Sequence, residues 1–211
     1  MTPLVGIPIK PFGVAKARLA PVLDAPDRAR LGMAVAAHTA AAVAGSGAVP
    51  HVVTGDAAVA AWATDHGWDV VAEPPGGGLD GAAAALVAAA GGGPWALVHA
   101  DLPTIAPEDL GAMWDALDHG PVIAPSRDGG TSVLAATATT SFAYGHLSFH
   151  RHLAHLPGAT VVNRPGLALD LDEPEDLERA LARPGGAWLE DVLRTTYYVL
   201  RKAPPTLPPD G

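Results

Sequence analysis

Six short apolar runs punctuate this chain at intervals, and helix-length segments fill the gaps between them: Leu4–Ile9, Val49–Thr54, Trp68–Ala72, Trp95–His99, Val122–Pro125 and Ser132–Ala136. Runs this short and this continuously apolar suit strands buried on both faces, which are the strands of a parallel sheet layered between helices. The intervening segments carry helix-start chemistry. Asp27 is placed to cap a long helix ending near Gly45, Asp56 one ending at Gly67, and Pro107 followed by Glu108 opens another. The β-α-β rhythm predicts a single α/β domain in which helices cover both faces of a mostly parallel sheet.

After Ala136 the rhythm gives way to a His-rich segment, a short strand over Thr160–Val162, the sequence LALDLDEPEDL, and a helix from about Glu175 to Ala182. The main domain is expected to span 1–183. Residues 184–211 form a C-terminal extension in which WLEDVLRTTYYVLRKA is either a closing helix or a partner surface, and PPTLPPDG is a mobile tail.

With 49% hydrophobic and 17% charged residues among 211, the chain can bury a real core. A formal charge of −9 argues against general nucleic-acid binding, because nucleic acid is itself polyanionic. The absence of cysteine excludes disulfides and thiolate chemistry and is compatible with the cytoplasm. No signal peptide is evident, and neither Arg28–Ala44 nor Gly81–Ala90 has the length and apolarity to span a bilayer, so no membrane role is expected.

Against that acidic background, two of the three lysines, Lys10 and Lys16, stand with Arg18 in one loop after the first apolar run. A cationic loop at the carboxyl end of a first strand is where an open α/β sheet holds a phosphorylated ligand. The segment has neither P-loop nor dinucleotide-fold glycine spacing, so side-chain cations must do much of the binding.

Carboxylates supply the opposite charge. Asp101 follows WALVHA directly and so projects from a strand end into the ligand crevice. Asp170 and Asp172 alternate with leucines, which in an extended segment puts both on one face. If Asp101 converges on that pair, the three make a site for magnesium, a hard cation that takes carboxylate and phosphate oxygens together. Glu175 and Asp176 are assigned to the helix dipole. Thr131 within RDGGTSVLAA, and Gly145 and Ser148 within FAYGHLSFHRH, can present hydroxyl and backbone donors to a second phosphate. His146, His150, His152 and His155 lack a zinc motif and are read as structural or surface residues.

The ordered set IPIKPFGVAKARLAPVL, ADLP, DGGTSVL, GHLSFHRHLA and LDLDEPEDL resembles the guanylyltransferases that activate 2-phospho-L-lactate or phosphoenolpyruvate in coenzyme F420 biosynthesis. The resemblance implies a single-domain, Rossmann-like three-layer nucleotidyltransferase fold of the GT-A kind, similar to molybdenum cofactor guanylyltransferases and sugar-nucleotide transferases. It also implies GTP and a phosphorylated three-carbon acid as substrates, and magnesium on Asp101, Asp170 and Asp172. Thr131, Gly145 and Ser148 would receive the acid's phosphate, and Lys10, Lys16 and Arg18 would face the triphosphate. Gly78 and Asp80 stand where the family commonly reads Gly-Leu-Asn, and an aspartate cannot donate as an asparagine amide does. A homodimer, and a hand-off of the diphosphate product to a following enzyme, are arrangements compatible with this reading. Two other readings stay open: a sugar-phosphate or molybdenum-cofactor nucleotidyltransferase on the same fold, and a catalytically silent nucleotide-binding protein.

Overall fold

The apolar runs form the strands of one sheet. The computed structural model describes residues 2–14 and 16–200; the expected tail at 204–211 lies outside the described residues. The strands are β1 (Leu4–Pro8), β2 (Pro50–Thr54), β3 (Asp69–Ala72), β4 (Trp95–Val98), β5 (Val122–Pro125), β6 (Thr131–Ala136) and β7 (Thr160–Val161), in the order β3-β2-β1-β4-β6-β5-β7. The pairs β1–β2, β2–β3, β1–β4 and β5–β7 are parallel, and β6 alone runs antiparallel, against both β4 and β5.

Period-two alternation sorts the buried residues to two faces. Val5, Ile7, Ala96, Val98, Val122, Ala124, Val133 and Ala135 pack under α1 (Ala25–Gly45), α2 (Ala57–Asp65) and α4 (Pro107–Leu117). Trp95, Leu97, Ile123, Leu134 and Ala136 face the other way, against α3 (Gly78–Ala89) and the segment around α5 (Ser148–His155). Each large side chain so buried contributes about 1.5–3 kcal/mol relative to exposure. Gly6 lets α3 close onto β1, since a Cβ there would stand 2.7 Å from both methyls of Leu86.

Of two helix starts read from the sequence, one differs from expectation and one agrees. The cap of α1 is Asp24, whose carboxylate accepts the Asp27 amide at 2.8 Å; Asp27 lies in the first turn and pairs with Arg30. Pro26 accounts for this, because a proline is tolerated in the first helical turn and so marks the helix as already begun. Helix α7 (Pro174–Leu181) begins with Asp176 accepting the amides of Glu173 at 3.0 Å and Asp172 at 3.3 Å, which is the helix-start role assigned to it.

A third cluster joins Leu19 and Leu23 to Leu31 and Val35 of α1, Leu169 and Leu171, Leu177 of α7, and Leu189 and Leu193 of α8 (Leu189–Leu200). The start of α8 is therefore a packed closing helix. The segments carrying Lys16 and the Asp170–Asp172 stretch share this core, whereas Leu167 of the short helix α6 (Pro165–Ala168) that precedes the latter packs in the first cluster with α1, α2 and α4.

Two glycine substitutions test this packing in opposite directions. A Cβ at Gly186 would collide with the Ala180 carbonyl group, its carbon at 2.6 Å, whereas one at Gly111 in α4 meets nothing within 4 Å. Gly186→Ala should cost about 1–3 kcal/mol in a denaturant melt. Gly111→Ala should gain roughly 0.5–1 kcal/mol.

Candidate active site

In the strand order, the chain proceeds from β1 outward through β2 to β3 and then returns to the other side of β1 with β4. The carboxyl ends of β1 and β4 therefore flank a topological switch point, where the following loops diverge and leave a crevice. A cavity of about 460 Å³ occupies that place. Its walls include Lys10 and Lys16 from the loop after β1, His99 and Asp101 after β4, and Gly78 at the start of α3. Ser126 and Asp128 come from the turn after β5, and Asp170 and Asp172 from the extended stretch before α7. The inversion of β6 is what brings in Thr131: only an antiparallel strand starts at the rim where the parallel ones end. Gly145 and Ser148 complete that wall.

Lys16 lies at the centre of the charge arrangement. Its ammonium is 2.8 Å from Asp101 Oδ2 and 3.3 Å from Asp172 Oδ1, linking segments 85 and 156 residues away in sequence. Burial disfavours the ammonium, but the two carboxylates outweigh this and raise the Lys16 pKa above its ordinary value. Burial likewise opposes ionisation of Asp101, and the Lys16 charge, followed by His99, more than offsets it, so Asp101 stays below the usual carboxylate range. Among the described residues Asp170 makes no ion pair within 4.0 Å, and burial, then the neighbouring charges of Asp101 and Asp128, push it up to about 7.

The Asp170–Asp172 segment is held in place by its backbone: the Leu171 amide donates to the Asp101 carbonyl, and the Arg127 amide to that of Ala168. Leu169 and Leu171 are fully buried, so the intervening aspartates turn toward the cavity, as the alternation predicts. Asp101, Asp170 and Asp172 thus line one wall. They are oxygen donors of the kind a hard divalent cation takes. Two features fit such an ion: Asp101 Oδ1 is buried without a partner, and Asp170 is held partly protonated near neutrality. Among the described residues no three ligating groups already stand clustered as a metal site; between Asp101 and Asp172 stands the Lys16 ammonium.

On the opposite wall, a hydrogen-bond relay orients Thr131. The Ala143 amide donates to His152 Nε2 at 3.0 Å, so Nε2 is an acceptor and the ring proton sits on Nδ1. Nδ1 then donates to Thr131 Oγ1 at 2.9 Å, and Ser148 Oγ donates to the same oxygen at 3.3 Å. Accepting twice, Thr131 keeps its own hydroxyl proton for a ligand. Burial lowers His152 to about 4, so it is neutral at physiological pH, as this relay requires. Gly145, at φ +115°, adopts a backbone that L side chains rarely enter, in a loop that Arg151 clamps through the carbonyls of Tyr144 and His146.

Not every expected residue shares the cavity. Lys10 is exposed at its mouth. Arg18 lies outside it, exposed and 3.4 Å from Glu173, in an adjoining cleft of about 280 Å³ that Arg127, Asp128, Asp170, Asp172, Asp176 and Arg179 also line. Asp80 accepts the Tyr144 amide at 2.9 Å, which ties α3 to the loop bearing Gly145. Asp128, His99 and Tyr144 line the main cavity and were not foreseen. Asp128 reads in sequence as a turn residue and also behaves as one, accepting from Ser126 Oγ and from the Gly130 amide at 2.8 Å. His99 hides within a strand-like apolar run, and Tyr144 within a loop.

A family model described as "Guanylyl transferase CofC like" matches residues 4–198. A phosphoenolpyruvate guanylyltransferase of Geodermatophilus obscurus is 40% identical, over 84% of this chain and 87% of its own length. A 3-phospho-D-glycerate guanylyltransferase of Phenylobacterium zucineum is 38% identical (85% and 89%), and a 2-phospho-L-lactate guanylyltransferase of Methanopyrus kandleri 31% (81% and 87%). Among solved structures, a putative nucleotide-diphospho-sugar transferase from Desulfovibrio desulfuricans superposes with a TM-score of 0.72 at 17% identity, covering 95% of this chain and 98% of the other. That likeness carries the fold alone. With the family model spanning nearly all described residues and such relatives matching at this length, the chain belongs to the CofC-like guanylyltransferase family.

Proposed function

We propose that this protein transfers GMP from GTP to a phosphorylated three-carbon acid, phosphoenolpyruvate or 2-phospho-L-lactate, with release of pyrophosphate, as a step of coenzyme F420 biosynthesis. The observation that carries this reading is a cavity at the switch point lined by Lys10 and Lys16, by three aspartates of which two pair with Lys16, and by the hydroxyls of Thr131 and Ser148. An oxygen of the acid's phosphate attacks the α-phosphorus of GTP, the bond to the bridging oxygen of the β-phosphate breaks, and pyrophosphate carries away the electron pair. The attacking oxygen is already anionic, so no protein nucleophile is needed. Thr131, Gly145 and Ser148 seat the acid. Lys10 and Lys16 neutralise the triphosphate, and Arg18 extends the positive field from the adjoining cleft. Gly78 and Asp80, at the start of α3, border the nucleotide.

Magnesium is the cation this reading requires. Asp101, Asp170 and Asp172 would hold it, and when bound it lowers the repulsion between the two phosphates and fixes their approach.

Pyrophosphate release with GTP and magnesium, measured against phosphoenolpyruvate, 2-phospho-L-lactate and 3-phosphoglycerate, tests the function; no release with any of them sinks it. Asp101→Asn should lower turnover about 100-fold or more while the melting transition stays cooperative. Thr131→Val should raise KM for the acid and leave KM for GTP unchanged. Because Asp170 ionises only near pH 7 without a cation, proton and metal compete for it. The magnesium concentration for half-maximal rate should therefore rise as pH falls below about 7, and Asp170→Asn should flatten that dependence.

A further inference from the structure

In this structure the ammonium of Lys16 stands at the point where the side chains of Asp101 and Asp172 converge. It is the most enclosed member of the trio: its side chain is 9% exposed, against 25% for Asp101 and 48% for Asp172. Without a cation there, these carboxylates would repel each other and Asp170, which lines the same cavity. A point-charge ammonium and a divalent metal answer the same need, and two cations drawn to the same pair of carboxylates repel each other.

The lysine is also held in a way that permits departure. Its backbone adopts φ 56°, in the left-handed region that a side chain with a Cβ rarely enters, a conformation that costs energy and is kept only where its surroundings enforce it. The loop is anchored at both ends, by the Phe12 ring against Trp62 and by fully buried Leu19 in the third core cluster. Between those anchors, Lys16 lines the same cavity as Lys10.

We propose that the Lys16 side chain has two stations. In the free protein it is the stand-in cation that keeps Asp101 and Asp172 convergent. A divalent metal takes its place when the triphosphate of an incoming nucleotide offers the ammonium other oxygens. Metal and nucleotide then enter together, and a metal ion alone competes poorly. This inference rests on the proposed function insofar as it takes the aspartates as the metal site.

Water-proton relaxation, which rises when Mn2+ moves from small complexes onto a protein, separates the outcomes without any turnover. Wild-type protein should show enhancement with Mn2+ and GTP together and little with Mn2+ alone. Lys16→Met should bind Mn2+ without nucleotide at least tenfold more tightly than wild type, and Mn2+ should restore melting temperature to that variant. Lys16→Arg, which keeps the charge, should behave like wild type toward Mn2+ alone. Equal affinity of wild type and Lys16→Met for Mn2+ alone overturns the proposal while leaving the metal site standing. Absence of Mn2+ binding in every variant and condition overturns the metal site, and this proposal with it. Should Lys16→Met fail to fold, the wild-type arms decide: tight Mn2+ binding without GTP is the overturning result.

Discussion

The ion pairs of Lys16 with Asp101 and Asp172 tie together the three segments on which the site depends. Each comes from a different part of the fold: the loop after β1, the end of β4, and the extended stretch before α7. Charges this enclosed are costly to take from water, and removing one partner leaves another uncompensated, so the arrangement is held by geometry supplied elsewhere. That geometry is apolar. Leu19, Leu169 and Leu171 sit in one cluster with α1, α7 and α8, and fix the backbones from which the lysine and the aspartates project. The polar site is thus an overlay on a hydrophobic frame that would exist without it.

Much of this was legible in the sequence because strands buried on both faces leave a plain signal, a short apolar run with no polar alternation. All six runs became strands within a residue of expectation, and Thr160–Val161 made the seventh. The sense of β6 was not legible. Whether Ser132–Ala136 runs with or against its neighbours depends on the length and path of the connection from β5, and the apolar pattern is the same either way. The consequence is functional, because the antiparallel course is what brings Thr131 to the rim. The alternation in LDLD was a sound guide for a different reason: burying Leu169 and Leu171 forces Asp170 and Asp172 outward whether or not the segment pairs as a strand.

What sequence missed were residues whose local role masks the position they occupy. Asp128 satisfies a tight turn and, by doing so, adds a carboxylate to the cavity wall. His152 looked like one of four histidines in a polar segment, yet it is fully buried and sets the hydroxyl orientation of Thr131 through its tautomer. Asp80 was singled out as a carboxylate where the family has an amide, but its use as an acceptor for the Tyr144 amide was not foreseen. For His152 and Asp80 the deciding information is a partner distant in the chain, which periodicity cannot supply.

Charge balance connects these observations to the chemistry. Joining two phosphates requires anions to meet in a protein whose own net charge is −9, so positive charge must be concentrated locally and delivered at the right moment. A lysine locked permanently to Asp101 and Asp172 would be of no use to a triphosphate, because its field is already neutralised by those carboxylates. A lysine that leaves them becomes a free cation at the mouth of the cavity. The carboxylates it leaves are then open to a metal, which bears more charge and can also hold phosphate oxygens. The proposed exchange of partners would thus serve both sides of the reaction and would account for a lysine and aspartates lining one cavity in ion-pair contact.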